Sequence, residues 1–304
     1  MREKIWTFIE FMENRTLNNM EKVIGIDASL YQKRINFKTL QDNGVSFVIL
    51  KASSGSGIDP LFKQHMAEAE YGPNIVIGAY HWCDPTFDDN KQAQMFLDIV
   101  QPYDRVKFYA GDAEQWWADW VMWGKMTRNE CRPEDVPHLT GQRMNDNIHN
   151  ILNYWSARTD RKVLIYTAKW WTDYYAPLTS GWIKDYPLWV ATYPTVTKAP
   201  TSWKEYFDTQ PPAGTSPYMP RGSEKWTIWQ NTGNLKLPGV YTDDKETTIS
   251  AADGNIFNGN QLQFDEFFKV VHVPTLEERV KKLEDLAIDH GWMLSEEVKK
   301  LVNS

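Results

Sequence analysis

The chain has 304 residues, enough to bury one large core or two smaller ones. Its 42% hydrophobic and 24% charged residues are those of an ordinary globular protein, and 33 basic against 40 acidic residues exclude nucleic acid as a partner, because no basic excess exists to meet phosphates. The outlier is 15 Trp and 14 Tyr, read either as a Trp-rich core or, where rings are exposed, as surfaces that stack on sugar faces.

Residues 1–22 read as an extension ahead of the first strand. Residues 1–12 have an apolar character broken by Glu3 and Glu10, and no small-residue cleavage site follows, so no standard export signal is expected. Met20 offers an alternative start. No run approaches the ~20 apolar residues of a membrane span, and membrane insertion is not expected.

From residue 23 short apolar runs recur: 23–26 leading to Asp27, 45–50 leading to Lys51, 75–80 leading to His81, and 106–111 leading to Asp112. Continuous β-rich runs are what parallel strands covered on both faces look like. Between them the pattern predicts helices. One is capped by Asp59, with Pro60 at its first position and Phe62, Met66 and Ala69 as its stripe. A second starts at Asp88 or Asp89 and buries Ala93, Phe96, Leu97 and Val100; a third follows Thr140 with Met144, Ile148, Ile151, Leu152 and Trp155, to about Asp160. The segment 115–140, holding Trp116, Trp117, Trp120 and Trp123, reads as a long loop overhanging the end of the fourth strand.

Three more strands fall at 163–167, 188–193 and 226–230, with no helix predicted across 194–222, and a last one at 253–257. Eight strands with regular helices only in the first part predict an α/β fold, a barrel over residues 23–273 whose chemistry sits at the C-terminal strand ends. Residues 274–304 form a short C-terminal helical tail, with Leu276, Val280, Leu283 and Ala287 on one stripe. Docking on the barrel and homo-oligomer contact through this helix both fit that stripe.

Asp112-Ala113-Glu114 carries the chemistry. In an extended strand, residues two apart point the same way, about 6.5–7 Å apart. Paired carboxylates crowd like charges and raise the proton affinity of at least one. A protonated acid beside an ionised one is what glycosidic bond cleavage needs; the plainer alternative for each acid is an ion pair or a helix cap. Cys83 and Cys131 allow one disulfide but read as two unpaired thiols, without metal-ligand spacing to the 6 histidines.

The ordered set Gly25-Ile26-Asp27-Ala28-Ser29, Gln32, Phe47 through Ser53, Gly78-Ala79-Tyr80-His81, Asp112-Ala113-Glu114, Ile165-Tyr166-Thr167, Leu188-Trp189-Val190-Ala191, Ile228-Trp229-Gln230 and Asp253-Gly254-Asn255 resembles glycoside hydrolase family 25, the Chalaropsis-type lysozymes. The resemblance spans roughly residues 23–260 and implies an irregular, TIM-like (β/α)5β3 barrel. By position, Glu114 resembles the proton donor and Asp112 its carboxylate partner, with Asp27 and Asp253 as further acids of the cleft. Tyr80, Tyr166, Trp189 and Gln230 match substrate-contacting or orienting positions, and His81 either braces its strand or touches sugar. The chain departs from the family at Ser54, where an acidic residue is usual.

The activity so implied is an N-acetylmuramidase (lysozyme) acting on bacterial peptidoglycan, with no metal or organic cofactor. A protein nucleophile and the substrate's acetamido group both remain open for the retaining step. The alternatives are an inactive wall-binding protein and a phage structural component on the same scaffold. Without an export signal, the expected setting is a phage endolysin made in the host cytoplasm and released through a holin-type opening, or virion or secreted cargo.

Overall fold

The computed structural model describes residues 22–115, 139–196 and 198–270. The 1–21 segment, the Trp-rich 116–138 segment with Cys131, and the 274–304 helix lie outside the described residues. So do the loop, oligomer and thiol readings that rest on them.

Eight strands close into a barrel: β1 (Ile24–Ala28), β2 (Phe47–Ser54), β3 (Val76–Trp82), β4 (Val106–Asp112), β5 (Lys162–Thr167), β6 (Leu188–Ala191), β7 (Ile228–Leu235) and β8 (Ala252–Phe257). Neighbours from β1 to β7 pair in parallel. β8 runs antiparallel between β7 and β1 and closes the ring. All eight expected strands are present. The reversal of β8 matters for the site, because it brings the start of that strand, Asp253, level with Asp27 near the end of β1.

The helices are α1 (Phe37–Asp42), α2 (Phe62–Glu68), α3 (Asp89–Val100), α4 (Gly141–Ser156), α5 (Lys169–Tyr175), α6 (Trp203–Thr209) and α7 (Gln261–Phe268). Asp88 caps α3 by accepting from the Lys91 N–H, and Thr140 caps α4 by accepting from the Arg143 N–H. Each replaces a water lost from an otherwise unpaired first-turn donor. Their apolar stripes are buried as the spacing predicts; α4 ends at Ser156, before Asp160.

Two expectations are corrected. Asp59 does not cap α2, which starts at Phe62 without a side-chain cap. Its carboxylate instead accepts from the Leu61 and Leu30 N–H groups and ties the segment after β1 to the one after β2. The 194–222 stretch is not all loop, since Ser202 caps the two-turn helix α6 there.

Two packed layers result. Between strands and helices lies the larger core, with Phe96, Trp155, Tyr109, Ile148 and Leu152 among its buried side chains. Inside the barrel lies a second one containing Phe47, Ile49, Phe108, Leu164, Tyr166, Trp189 and Phe257. Small residues make room there: a Cβ on Gly25 would meet the Phe47 ring at 2.4 Å, and one on Gly78 the Phe108 ring at 2.4 Å. Helix α7 stops the N-terminal mouth, stacking Phe264 on Phe47 at 5.3 Å and Phe268 on Phe108 at 4.3 Å. One end of the barrel is therefore sealed with aromatic rings, which leaves the other end for polar groups.

Candidate active site

The polar end begins where the inward-facing positions of each strand turn from apolar to acidic. On β4, Phe108 and Ala110 line the barrel and Asp112 follows on the same face. The chain just beyond is clamped to its neighbours. Cys83 N–H donates to Asp112 O at 3.0 Å, Ala113 N–H donates to Tyr166 O at 2.8 Å, and Thr167 Oγ1 donates to Ala113 O at 2.8 Å. Trp171 Nε1 donates to Gln115 O at 3.2 Å. The residue between the two carboxylates is thus held at both its amide and its carbonyl, so Asp112 and Glu114 are carried on fixed backbone.

Asp27 and Asp253 are register partners on β1 and β8. Asp27 Oδ2 accepts from Asn255 Nδ2 at 2.7 Å and from Gln230 Nε2 at 2.9 Å; Gln230 Nε2 also reaches Asp253 Oδ2 at 3.3 Å. The amide orientations follow from their other partners. Trp189 Nε1 is only a donor and points at Asn255 Oδ1 at 2.7 Å, which leaves the Asn255 amide nitrogen facing Asp27. Gln230 Oε1 accepts from the Tyr166 hydroxyl at 2.9 Å and the Tyr193 hydroxyl at 2.7 Å. Beneath this network Tyr80 and Tyr166 pack on Trp189, with centroids 6.0 and 4.5 Å away.

Electrostatics bind the acids into one group. Burial pushes the Asp27 carboxyl well up; the Asp253 charge and then Glu114 add to this, while the Asn255 and Gln230 amides oppose it. Burial likewise pushes Asp112 well up, reinforced by Glu114 and opposed by Lys51. Asp253 is pushed up to about 6 by burial and then by Glu114. Burial and mutual repulsion make this group of acids hold its protons more tightly than separate, solvated carboxyls would. That is the condition an acid catalyst needs.

All eight expected site residues meet at this end of the barrel. Asp27 and Asp112 are buried, and Glu114 and Asp253 are part-exposed. Tyr80, Tyr166, Trp189 and Gln230 are buried behind them; Gln230 holds Asp27 directly, Tyr166 and Trp189 fix the amides that do so, and Tyr80 packs on Trp189. His81 faces the other way. Gln92 binds Asp84 through both its amide atoms, which fixes its Oε1 toward His81 Nε2 at 2.9 Å, and Ser53 Oγ meets His81 Nδ1 at 2.8 Å. Burial then drives the imidazole down to about 4, so it is a neutral brace between β2, β3 and α3.

Three further residues belong to the site. Asn255 and Lys51 lie two positions after Asp253 and Ile49 on inward faces, a period that marks them in the sequence. Tyr193 lies past the end of β6, beyond any strand alternation, and its ring is exposed although its hydroxyl is pinned to Gln230.

The profile described as Glycosyl hydrolases family 25 matches residues 26–240. Lysozyme M1 of Streptomyces globisporus is 25% identical over 250 residues, covering 78% of this chain and 68% of the relative. The bacterial lysozyme structure from Streptomyces coelicolor superposes with a TM-score of 0.60 at 24% identity, over 81% of this chain and 96% of that one. The catalytic domain of endolysin ply40 from bacteriophage P40 of Listeria monocytogenes has the same fold, with a TM-score of 0.57 at 16% identity, over 82% of this chain and 98% of that domain.

Proposed function

The chain belongs to glycosyl hydrolases family 25, and from that premise we propose that it is an N-acetylmuramidase that cleaves the β-1,4 bond between N-acetylmuramic acid and N-acetylglucosamine in bacterial peptidoglycan. The observation that carries this reading is the clamped pair Asp112 and Glu114, coupled to Asp27 and Asp253 at the polar end of the barrel. Relatives whose names are lysozyme and N,O-diacetylmuramidase support the substrate.

In the proposed reaction Glu114 is the general acid. It is the part-exposed member of the pair, able to reach a glycosidic oxygen, and its acidic neighbours favour its protonated form. Its proton passes to the leaving oxygen as the anomeric C–O bond breaks, and a water later bonds the anomeric carbon and returns a proton to Glu114. Asp112, ionised, faces the positive charge that develops on the sugar ring, either directly or by orienting the acetamido group for attack. Asp27 is held by two amide donors and serves with Asp253 to set the negative field of the pocket.

Clearing of a peptidoglycan suspension tests the assignment. Glu114→Gln is expected to lower the rate by a factor on the order of 10² to 10⁴, with the fold intact by circular dichroism, and Asp112→Asn to lower it comparably. Full activity in Glu114→Gln would remove it as the acid. We extend the proposal to the setting of a phage endolysin, on a barrel that an endolysin catalytic domain also uses. Expression in a bacterium with and without a co-expressed holin tests it, with lysis expected only when the holin is present.

A further inference from the structure

Among the described residues, Lys51 is the one lysine or arginine that is buried, at 8% exposure. It follows Phe47 and Ile49 on the inward face of β2, so its side chain enters the barrel at the acidic end. Burying an ammonium is costly unless an opposite charge meets it. Its Nζ lies 4.3 Å from the centroid of the Trp82 ring and 5.9 Å from that of Tyr80. Trp82 is the register partner of Asp112 on the next strand, so the ring that carries the ammonium stands on the strand position beside that carboxyl. Asp112 Oδ1 is buried and accepts no hydrogen bond from the described residues. Charge on that oxygen has no donor in contact to balance it.

We propose that Lys51 is a positioning residue of the reaction, the counter-charge that keeps Asp112 ionised beside a protonated Glu114. This rests on the hydrolase reading of the site given above. The groups facing Lys51 are Asp112 and Glu114 from β4 and its extension, Asp59 from the segment after β2, and Tyr80, His81 and Trp82 from β3, while Asp112 also faces Asp27 from β1. Both carboxyl oxygens of Asp59 are occupied by backbone N–H groups, whereas Asp112 has an oxygen without a donor. Asp112 is therefore the acid that depends on the ammonium. The couplings agree: burial lowers the Lys51 proton affinity, with Asp112 the first of the charges that oppose it, and Lys51 is the group that pulls Asp112 back down. A purely space-filling lysine would be replaced without loss by methionine, which has similar length and no charge.

The pH dependence of kcat and KM on soluble glycan fragments separates the two roles. In Lys51→Met the proton affinity of Asp112 rises, and the acid limb of kcat is expected to move toward higher pH by about one unit. On that limb kcat then falls about tenfold while KM changes little. Lys51→Arg keeps the charge and is expected to keep the limb. A Lys51→Met enzyme whose acid limb matches the wild type overturns the proposal. Should that variant not fold, the 15N resonance of Lys51 in the wild-type protein decides: an ammonium at the pH of full activity supports the proposal, and a neutral amine there overturns it. Absence of wild-type turnover would instead refute the hydrolase reading, whereas the ammonium resonance needs no turnover to be read.

Discussion

Asp253 shows at the scale of one residue what the site costs the fold. Its carboxyl titrates near 6 in the folded protein against an ordinary 3.8. Between those values the folded state holds a proton that the unfolded chain has released. Stability therefore falls as pH rises from about 4 to about 6, and the penalty persists above that. Asp253→Asn removes the charge while keeping an oxygen to accept from Gln230. It is expected to stabilise the protein at pH 7 by about 1–3 kcal/mol, with the gain vanishing below pH ~4, and to reduce turnover. Denaturant unfolding at the two pH values measures this, and equal stability at pH 7 would contradict it. At the same scale, Asp27, Asp112 and Glu114 were legible because they end strands or follow two residues later, whereas Asp253, which begins its strand, was reached only through the family resemblance. Sequence reasoning passed over Asn255 and Lys51, which share those faces, because an amide and a lone lysine carry no chemical signature until their partners are known. Tyr193 had no such signal, since its role depends on the turn after β6.

Among the elements, α1, α5, α6 and α7 were not expected, the last two for one reason. Each is about two turns long and buries only two large side chains, Phe264 and Phe268 in one and Trp203 and Tyr206 in the other. That is too few for a period to stand out. The legible signal was at the N-termini: Ser202 with Glu205, and Asn260 with Gln263, which forms a complete capping box. The strands were readable because a barrel wall covered on both faces needs long apolar runs. The Asp59 cap was misread because the same side chain is claimed by the backbone of Leu30, 29 positions away in sequence. Since α7 plugs the mouth opposite the acids, Phe268→Ala is expected to cost about 3–5 kcal/mol of stability. Activity per folded molecule should stay within about twofold, because the ring packs on Phe108, Phe257, Phe264 and Phe267 at the opposite mouth. A thermal melt paired with a clearing assay reads both, and a large loss of turnover without loss of stability would contradict the division of the barrel into two ends.

For the whole molecule, one topological feature accounts for the site. Seven parallel strands carry Asp27, Asp112 and their neighbours to one end, and the reversed β8 delivers Asp253 and Asn255 to that same end from its beginning rather than its finish. The central claim is that this end breaks one specific glycosidic bond with Glu114 as the acid. The most direct measurement is mass analysis of borohydride-reduced peptidoglycan digests. The wild type is predicted to yield new ends carrying reduced N-acetylmuramic acid, and Glu114→Gln to yield almost none. New ends carrying reduced N-acetylglucosamine, or undiminished muramic ends from Glu114→Gln, would contradict the account.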